Sequence, residues 1–107
     1  MAKILSRNGI IAIVSLISPY KRVRDTARQE IGKFIEVYLR CSLEERIRRD
    51  PKGLYAKAIR GKIKDLTGYD GIYEEPENPE VIVDTDKMSV DDEVRMVMEK
   101  ARELGYL

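Results

Sequence analysis

The chain contains no histidine and no tryptophan, and only one cysteine and one phenylalanine. Without histidine the most versatile general base and metal ligand is missing, and Cys41 alone can form neither an intramolecular disulfide nor a zinc site. An excess of one charge is also lacking. Twenty Lys and Arg face 19 Asp and Glu, leaving +1, so nothing global draws the chain to nucleic acid or to a membrane surface. No apolar run approaches the ~20 residues that a membrane helix needs, and Arg7 and Asn8 interrupt the amino terminus before a secretory core could form. Amides are scarce, with Gln29, Asn8 and Asn78 the complete set. Few amides among many Lys, Glu and Arg lean towards a thermophilic source. The expected setting is soluble, reducing and cytoplasmic, with no nucleic acid and no membrane as partner.

What is present is a globular composition, 43% hydrophobic and 36% charged over 107 residues, which suits one domain at the small end for an α/β fold. The stretch Ile10–Tyr20, IIAIVSLISPY, organises the rest. Its unbroken apolar part predicts a strand over Ile10–Ile17, buried on both faces as in parallel sheets. Pro19 stops it, having no N–H for a ladder. Ser18, Tyr20 and the cations Lys21, Arg22 and Arg24 then stand at the strand's carboxyl end, the edge where open α/β sheets bind ligands. A buried strand meeting its loop in a non-enzyme fits this stretch equally well.

Elsewhere the pattern alternates. Residues 1–8 predict a short helix stopped by Asn8-Gly9, the tail of a helix whose beginning is not in the chain. Val23, Ala27 and Ile31 predict a helix over Tyr20–Ile31, closed by Gly32. Phe34–Leu39 predicts a second strand and Val81–Val83 a third. Ser42-Leu43-Glu44-Glu45 is a capping box opening a helix to about Arg49. Asp50-Pro51-Lys52-Gly53 breaks that helix, and Leu54–Ile59 forms another. Lys64–Pro79 reads as a loop. Ser89 caps a last helix with Val90, Val94, Val97, Ala101 and Leu104 on its apolar side. Strands separated by helical crossovers imply an α/β fold with a parallel sheet. Three strands would leave a sheet edge open, so the chain reads as the second part of a larger domain.

Charge is sorted along the sequence. Arg40–Asp65 carries nine cations and four anions, +5, whereas Asp70–Asp86 carries seven carboxylates and no cation. A basic, glycine- and proline-punctuated insert suits phosphate binding, because mobile cations can close on a polyanion and exclude water. The plainer reading is a solvated face paired with the acidic loop.

Three separated strings sharpen the choice: ISPY followed by KRVR, RDPKGLYAKAIRGKIK, and TGYDGIYEEPENPE. Together they resemble the carboxyl-terminal part of adenylylsulfate kinases, and the resemblance runs over nearly the whole chain. These are P-loop kinases that use ATP to phosphorylate the 3′-hydroxyl of adenosine 5′-phosphosulfate, giving 3′-phosphoadenosine 5′-phosphosulfate. The resemblance implies a parallel-sheet, nucleoside-kinase-like fold, with ATP and Mg²⁺ as cofactors and adenosine 5′-phosphosulfate as substrate. It places Ile17 and Ser18 on the family's substrate-contacting pair. Ser18 is the family's active-site serine, described there as a phosphoserine intermediate. In-line transfer between two bound substrates needs no covalent step, so a hydrogen bond to substrate suffices. Lys21, Arg24 and Arg28 fall on a basic run, of which Lys21 and Arg24 are implied phosphate contacts. Residues 50–66 fall on a mobile lid, with Arg49 at its start as a nucleotide contact and Lys52 as a substrate contact. Asp65-Leu66 occupies the place of a Gly-Phe pair whose ring stacks on the substrate adenine. The turn Thr85–Met88, through Met88, resembles the loop that receives the base of ATP.

Two departures stand out. Leu66 keeps an apolar contact but loses stacking, worth roughly 1–3 kcal/mol per base. The 107 residues also contain no G-x-x-x-x-G-K-[ST] loop to cradle phosphates and Mg²⁺, and no metal ligands are identifiable. The expectation is therefore an adenylylsulfate kinase part that is inactive alone. A complementing P-loop half or a homo-oligomer are the implied protein partners. A non-catalytic nucleotide-binding or interaction remnant of the same fold is the alternative.

Overall fold

The computed structural model describes residues 1–50, 52–61 and 71–107. Helix α1 (Ala2–Arg7) ends where the sequence places its stop. Gly9 adopts φ 77°, its N–H donates to the Ser6 carbonyl, and Ile10 N–H donates to the Leu5 carbonyl, the paired bonds of a Schellman ending. Helix α2 spans Lys21–Ile31, and strand β1 spans Val37–Arg40. The short helices α3 (Leu43–Arg49) and α4 (Leu54–Ile59) follow, then strand β2 (Val81–Asp84) and helix α5 (Val90–Glu103). Ser42 and Ser89 cap α3 and α5, their hydroxyls accepting from Glu45 N–H and Asp92 N–H. The acidic first turns of both helices add favourable charge at those ends.

Strands β1 and β2 are parallel neighbours, with Val37 opposite Val81 and Arg40 opposite Asp84. Arg40 grips Asp84 through two hydrogen bonds of 2.6 and 3.0 Å. The pair continues into Thr85, whose N–H and hydroxyl both donate to the Arg40 carbonyl. The α/β class with a parallel sheet and crossover helices is as expected. The strand over Ile10–Ile17 is a correction: among the described residues this run has no ladder partner, and Ile13 is 91% exposed and Leu16 75%. A strand exists by its neighbours' hydrogen bonds, and among the described residues β1 and β2 form a sheet of two strands that does not include this run. The second strand also begins at Val37, three residues later than Phe34, because the backbone of Glu36 is engaged by the Glu80 carboxylate.

The core is correspondingly small. Val81, Val83, Ala58 and Ala101 are the buried hydrophobics among the described residues. The apolar stripe of α2 is uncovered at Val23, and that of α5 at Val90 and Val94. The chain exposes 8256 Å², where a compact monomer of this length exposes roughly 6,100 Å². Its radius of gyration of 15.8 Å likewise exceeds the roughly 13 Å of a compact domain. Much apolar surface is thus left without cover, and Val83 holds what core there is. Val83→Ala is expected to lower stability by about 1–3 kcal/mol, and Ile82→Ala on the exposed face by less than about 1 kcal/mol, in urea unfolding.

Candidate active site

Both strands end towards the same edge, and there α3, α4 and the turn after β2 line an open cavity of about 620 Å³, within the usual range for ligand sites. Leu54, Met88 and Val90 supply apolar walls, while Arg46, Arg49 and Lys52 supply cations. Arg46 Nε is buried without a hydrogen-bond partner among the described residues. Apolar surface beside three cations matches a base joined to phosphates.

The cations are set by short helices that need local support. Glu45 accepts from Arg48 and, at 2.7 Å, from Arg49 Nε. Its pKa falls to about 2, first through the Arg48 hydrogen bonds, against some desolvation and with help from Arg49. Arg49 also donates to the Thr85 carbonyl at 3.1 Å, linking the start of the insert to the turn after β2. Asp50, read from the sequence only as a helix breaker, has a second role. Its carboxylate accepts from the N–H groups of Leu54, Tyr55 and Ala56 at 3.0, 3.0 and 3.3 Å. Three of the four orphan donors of α4 are thereby satisfied, while Gly53 at φ 66° makes the turn between them. Lys52 rides on that turn.

A second, smaller hollow of about 360 Å³ lies beside α2, lined by Lys21, Arg24 and Arg28 together with Glu36, Glu77 and Glu80. Its cations are paired. Lys21 Nζ lies 3.2 Å from Asp25 and 3.5 Å from Glu77. Arg28 forks onto Glu80 at 2.6 and 3.0 Å and covers the Phe34 ring. Burial raises the Glu80 pKa, but the Arg28 hydrogen bonds and Glu36 N–H outweigh it and leave the carboxyl below its ordinary range. Arg24 reaches the carbonyls of Ser18 and Glu74, both at 2.5 Å.

Of the residues singled out by sequence, Arg49, Lys52 and Met88 meet in the larger cavity, and Lys21 and Arg24 in the smaller. Ile17, 67% exposed, and Ser18, half-buried, line neither. Asp65 and Leu66 lie outside the described residues, as does part of the expected lid. Sequence reading missed Arg46 and Asp50. For Asp50 the available signal was its carboxylate four residues before an apolar helix.

A parallel strand pair with a basic helical insert and a cavity at its carboxyl edge defines a nucleotide-kinase type of fold. The family profile described as Adenylylsulphate kinase matches residues 1–84. A probable adenylyl-sulfate kinase of Pyrococcus abyssi is 70% identical over the whole chain and 62% of its own length. An adenylyl-sulfate kinase of a Picosynechococcus species is 48% identical over the whole chain and 60% of its own. Among solved structures, the Mycobacterium tuberculosis APS kinase in complex with AMPPNP and APS superposes with a TM-score of 0.86 at 35% identity. That match covers 94% of this chain and 60% of the other. The chain belongs to the adenylylsulfate kinase family, a P-loop kinase fold, and corresponds to its carboxyl-terminal part. It spans about 60% of the length of the curated relatives it matches.

Two outcomes follow from this geometry. Asp50→Ala should cost about 1–2 kcal/mol and fray α4, read as faster amide exchange at Leu54, Tyr55 and Ala56. Because the Glu45 pKa is depressed in the folded chain, its ion pairs stabilise above the ordinary carboxyl pKa near 4.5 and are lost as pH falls towards 2. Titration followed by carboxyl ¹³C shifts should place Glu45 near 2, returning to the ordinary range in an Arg48→Ala, Arg49→Ala chain.

Proposed function

We propose that this chain supplies the lid, the nucleotide-base loop and the serine turn of an adenylylsulfate kinase. In that reaction the 3′-hydroxyl oxygen of adenosine 5′-phosphosulfate attacks the γ-phosphorus of ATP and the bond to the β-phosphate oxygen breaks. ADP leaves, and the hydroxyl proton is released. The observation that carries this reading is the cavity where Arg49, Lys52, Thr85 and Met88 converge at the carboxyl edge of the sheet, in a chain of this family. Met88 and Thr85 suit a nucleotide base, and the Arg and Lys side chains suit phosphate and sulfate oxygens. The crystallised relative was bound to AMPPNP and APS, the two ligand classes proposed here.

Residues 1–107 would then be the carboxyl-terminal part of the kinase domain, with its lid at about 50–66. Ser18, with Ile17, would contact substrate; Asp65 and Leu66 would do so from the lid; Lys21 and Arg24 would add positive charge near the phosphates. Magnesium would supply positive charge against the transferring phosphates. Among the described residues no group of three or more Cys, Asp or Glu side chains could hold a metal ion, so none is assigned as its ligand. Among the described residues no helix is long and apolar enough to cross a membrane.

Phosphoryl transfer depends almost wholly on positioning and charge stabilisation, and these 107 residues carry no phosphate-cradling loop. The chain alone should therefore turn over no ATP with adenosine 5′-phosphosulfate. A rate within the ordinary kinase range of roughly 1–100 s⁻¹ would overturn that expectation. In calorimetric titration with adenosine 5′-phosphosulfate, Lys52→Ala should weaken binding by about tenfold or more. Unchanged affinity removes Lys52 from the site.

A further inference from the structure

Ser18 is the one non-glycine residue at positive φ among those described, at 41°. An L side chain in that region clashes with its own backbone, and a following proline pushes the preceding residue towards extended conformations. Pro19 follows Ser18, so two steric rules oppose the conformation observed. The surroundings must over-determine it.

The group placed to do this is Arg24. One guanidinium nitrogen donates to the Ser18 carbonyl and another to the Glu74 carbonyl, each at 2.5 Å. Arg24 Nε faces the Glu36 carboxylate at 3.3 Å, and the side chain is only 10% exposed. The Tyr73 ring lies against the guanidinium, 5.8 Å from centroid to carbon. Glu74 closes the clamp from the other side. Its N–H donates to the Pro19 carbonyl at 2.8 Å, and its carboxylate accepts from Lys21 N–H at 2.9 Å.

We propose that Arg24 is a positioning residue: its fork holds Ser18 in the left-handed backbone conformation and fastens that turn to Glu74. The segment 73–75 and the serine turn then behave as one unit. That this unit presents a substrate contact rests on the function proposed above; the backbone device does not.

The test is a double-mutant cycle at residues 18 and 24, read by urea unfolding of the full chain. With Arg24 present, Ser18→Gly removes the strain and should raise the folding constant roughly three- to tenfold. In the Arg24→Ala chain Ser18 relaxes, and the same substitution should gain nothing. A merely structural arginine would lower stability and leave the glycine gain unchanged; equal gains in both backgrounds overturn the proposal. If Arg24→Ala does not fold, Arg24→Lys serves, since a single ammonium nitrogen lacks the rigid planar fork whose two terminal nitrogens each reach one carbonyl. The intraresidue amide–Hα NOE of Ser18, strong at positive φ, should weaken in either Arg24 variant, and an unchanged NOE also overturns it. No substrate enters these readouts. Failure of the wild-type chain to bind adenosine 5′-phosphosulfate therefore overturns the reading of the site and is distinguishable from failure of the clamp.

Discussion

One carboxylate ties three elements of this chain together. Glu80, just before β2, accepts from both terminal nitrogens of Arg28 in α2 and from the backbone N–H of Glu36 before β1. A parallel pair needs a long crossover, so β1 and β2 cannot be held in register by a tight turn. Register is fixed instead at both ends. Glu80 acts at the amino ends, and Arg40–Asp84 with the Thr85 bonds acts at the carboxyl ends. The carboxyl edge inherits its geometry from that register, and the crossover delivers α3 and α4 onto it.

Charge ordering along the sequence takes on a physical sense in this frame. The acidic stretch supplies Glu77, Glu80 and Asp84, whose carboxylates pair with Lys21 and Arg28 of α2 and Arg40 of β1. The plainer reading of the basic insert, pairing with the acidic loop, thus applies to cations outside the insert and at its first residue. Within the insert, Arg48 and Arg49 pair locally with Glu45. Arg46 and Lys52 make no ion pair with a described residue and line the cavity. Two populations of cations, alike in the sequence, are separated by what lies near them in space.

Legibility followed the range of the forces involved. Helix ends and caps were readable because they are written within four residues: Ser42, Ser89, Gly9 and Gly32 all act as their local pattern indicates. The α/β class followed from alternation, and the family from motif strings whose parts lie far apart in sequence. Misreadings came where a residue's partner is remote or missing. Ile10–Ile17 has the composition of a buried strand and no ladder neighbour among the described residues. Asp50 satisfies a helix that starts four residues later, a register that ordinary capping rules do not describe.

The balance between apolar and polar forces differs across the chain, and this bears most on Ser18. Next to it in sequence, Ile13, Leu16 and Ile17 on one side and Val23 on the other are exposed. Hydrophobic burial therefore does little to order the serine turn. What remains are the hydrogen bonds of Arg24 and Glu74 and, one turn further along α2, the Arg28–Glu80–Glu36 cluster. Exposed ion pairs are readily screened by salt, but Arg24 and Glu36 are largely enclosed and so are screened much less. The turn is held by a few directional contacts to two backbone carbonyls, which fix a conformation more sharply than an apolar patch can. Directional bonds to the backbone are what a strained residue requires, since an apolar cluster would tolerate its relaxation to an extended form. The polar face of α2, more than its apolar stripe, is therefore the face that positions the serine turn.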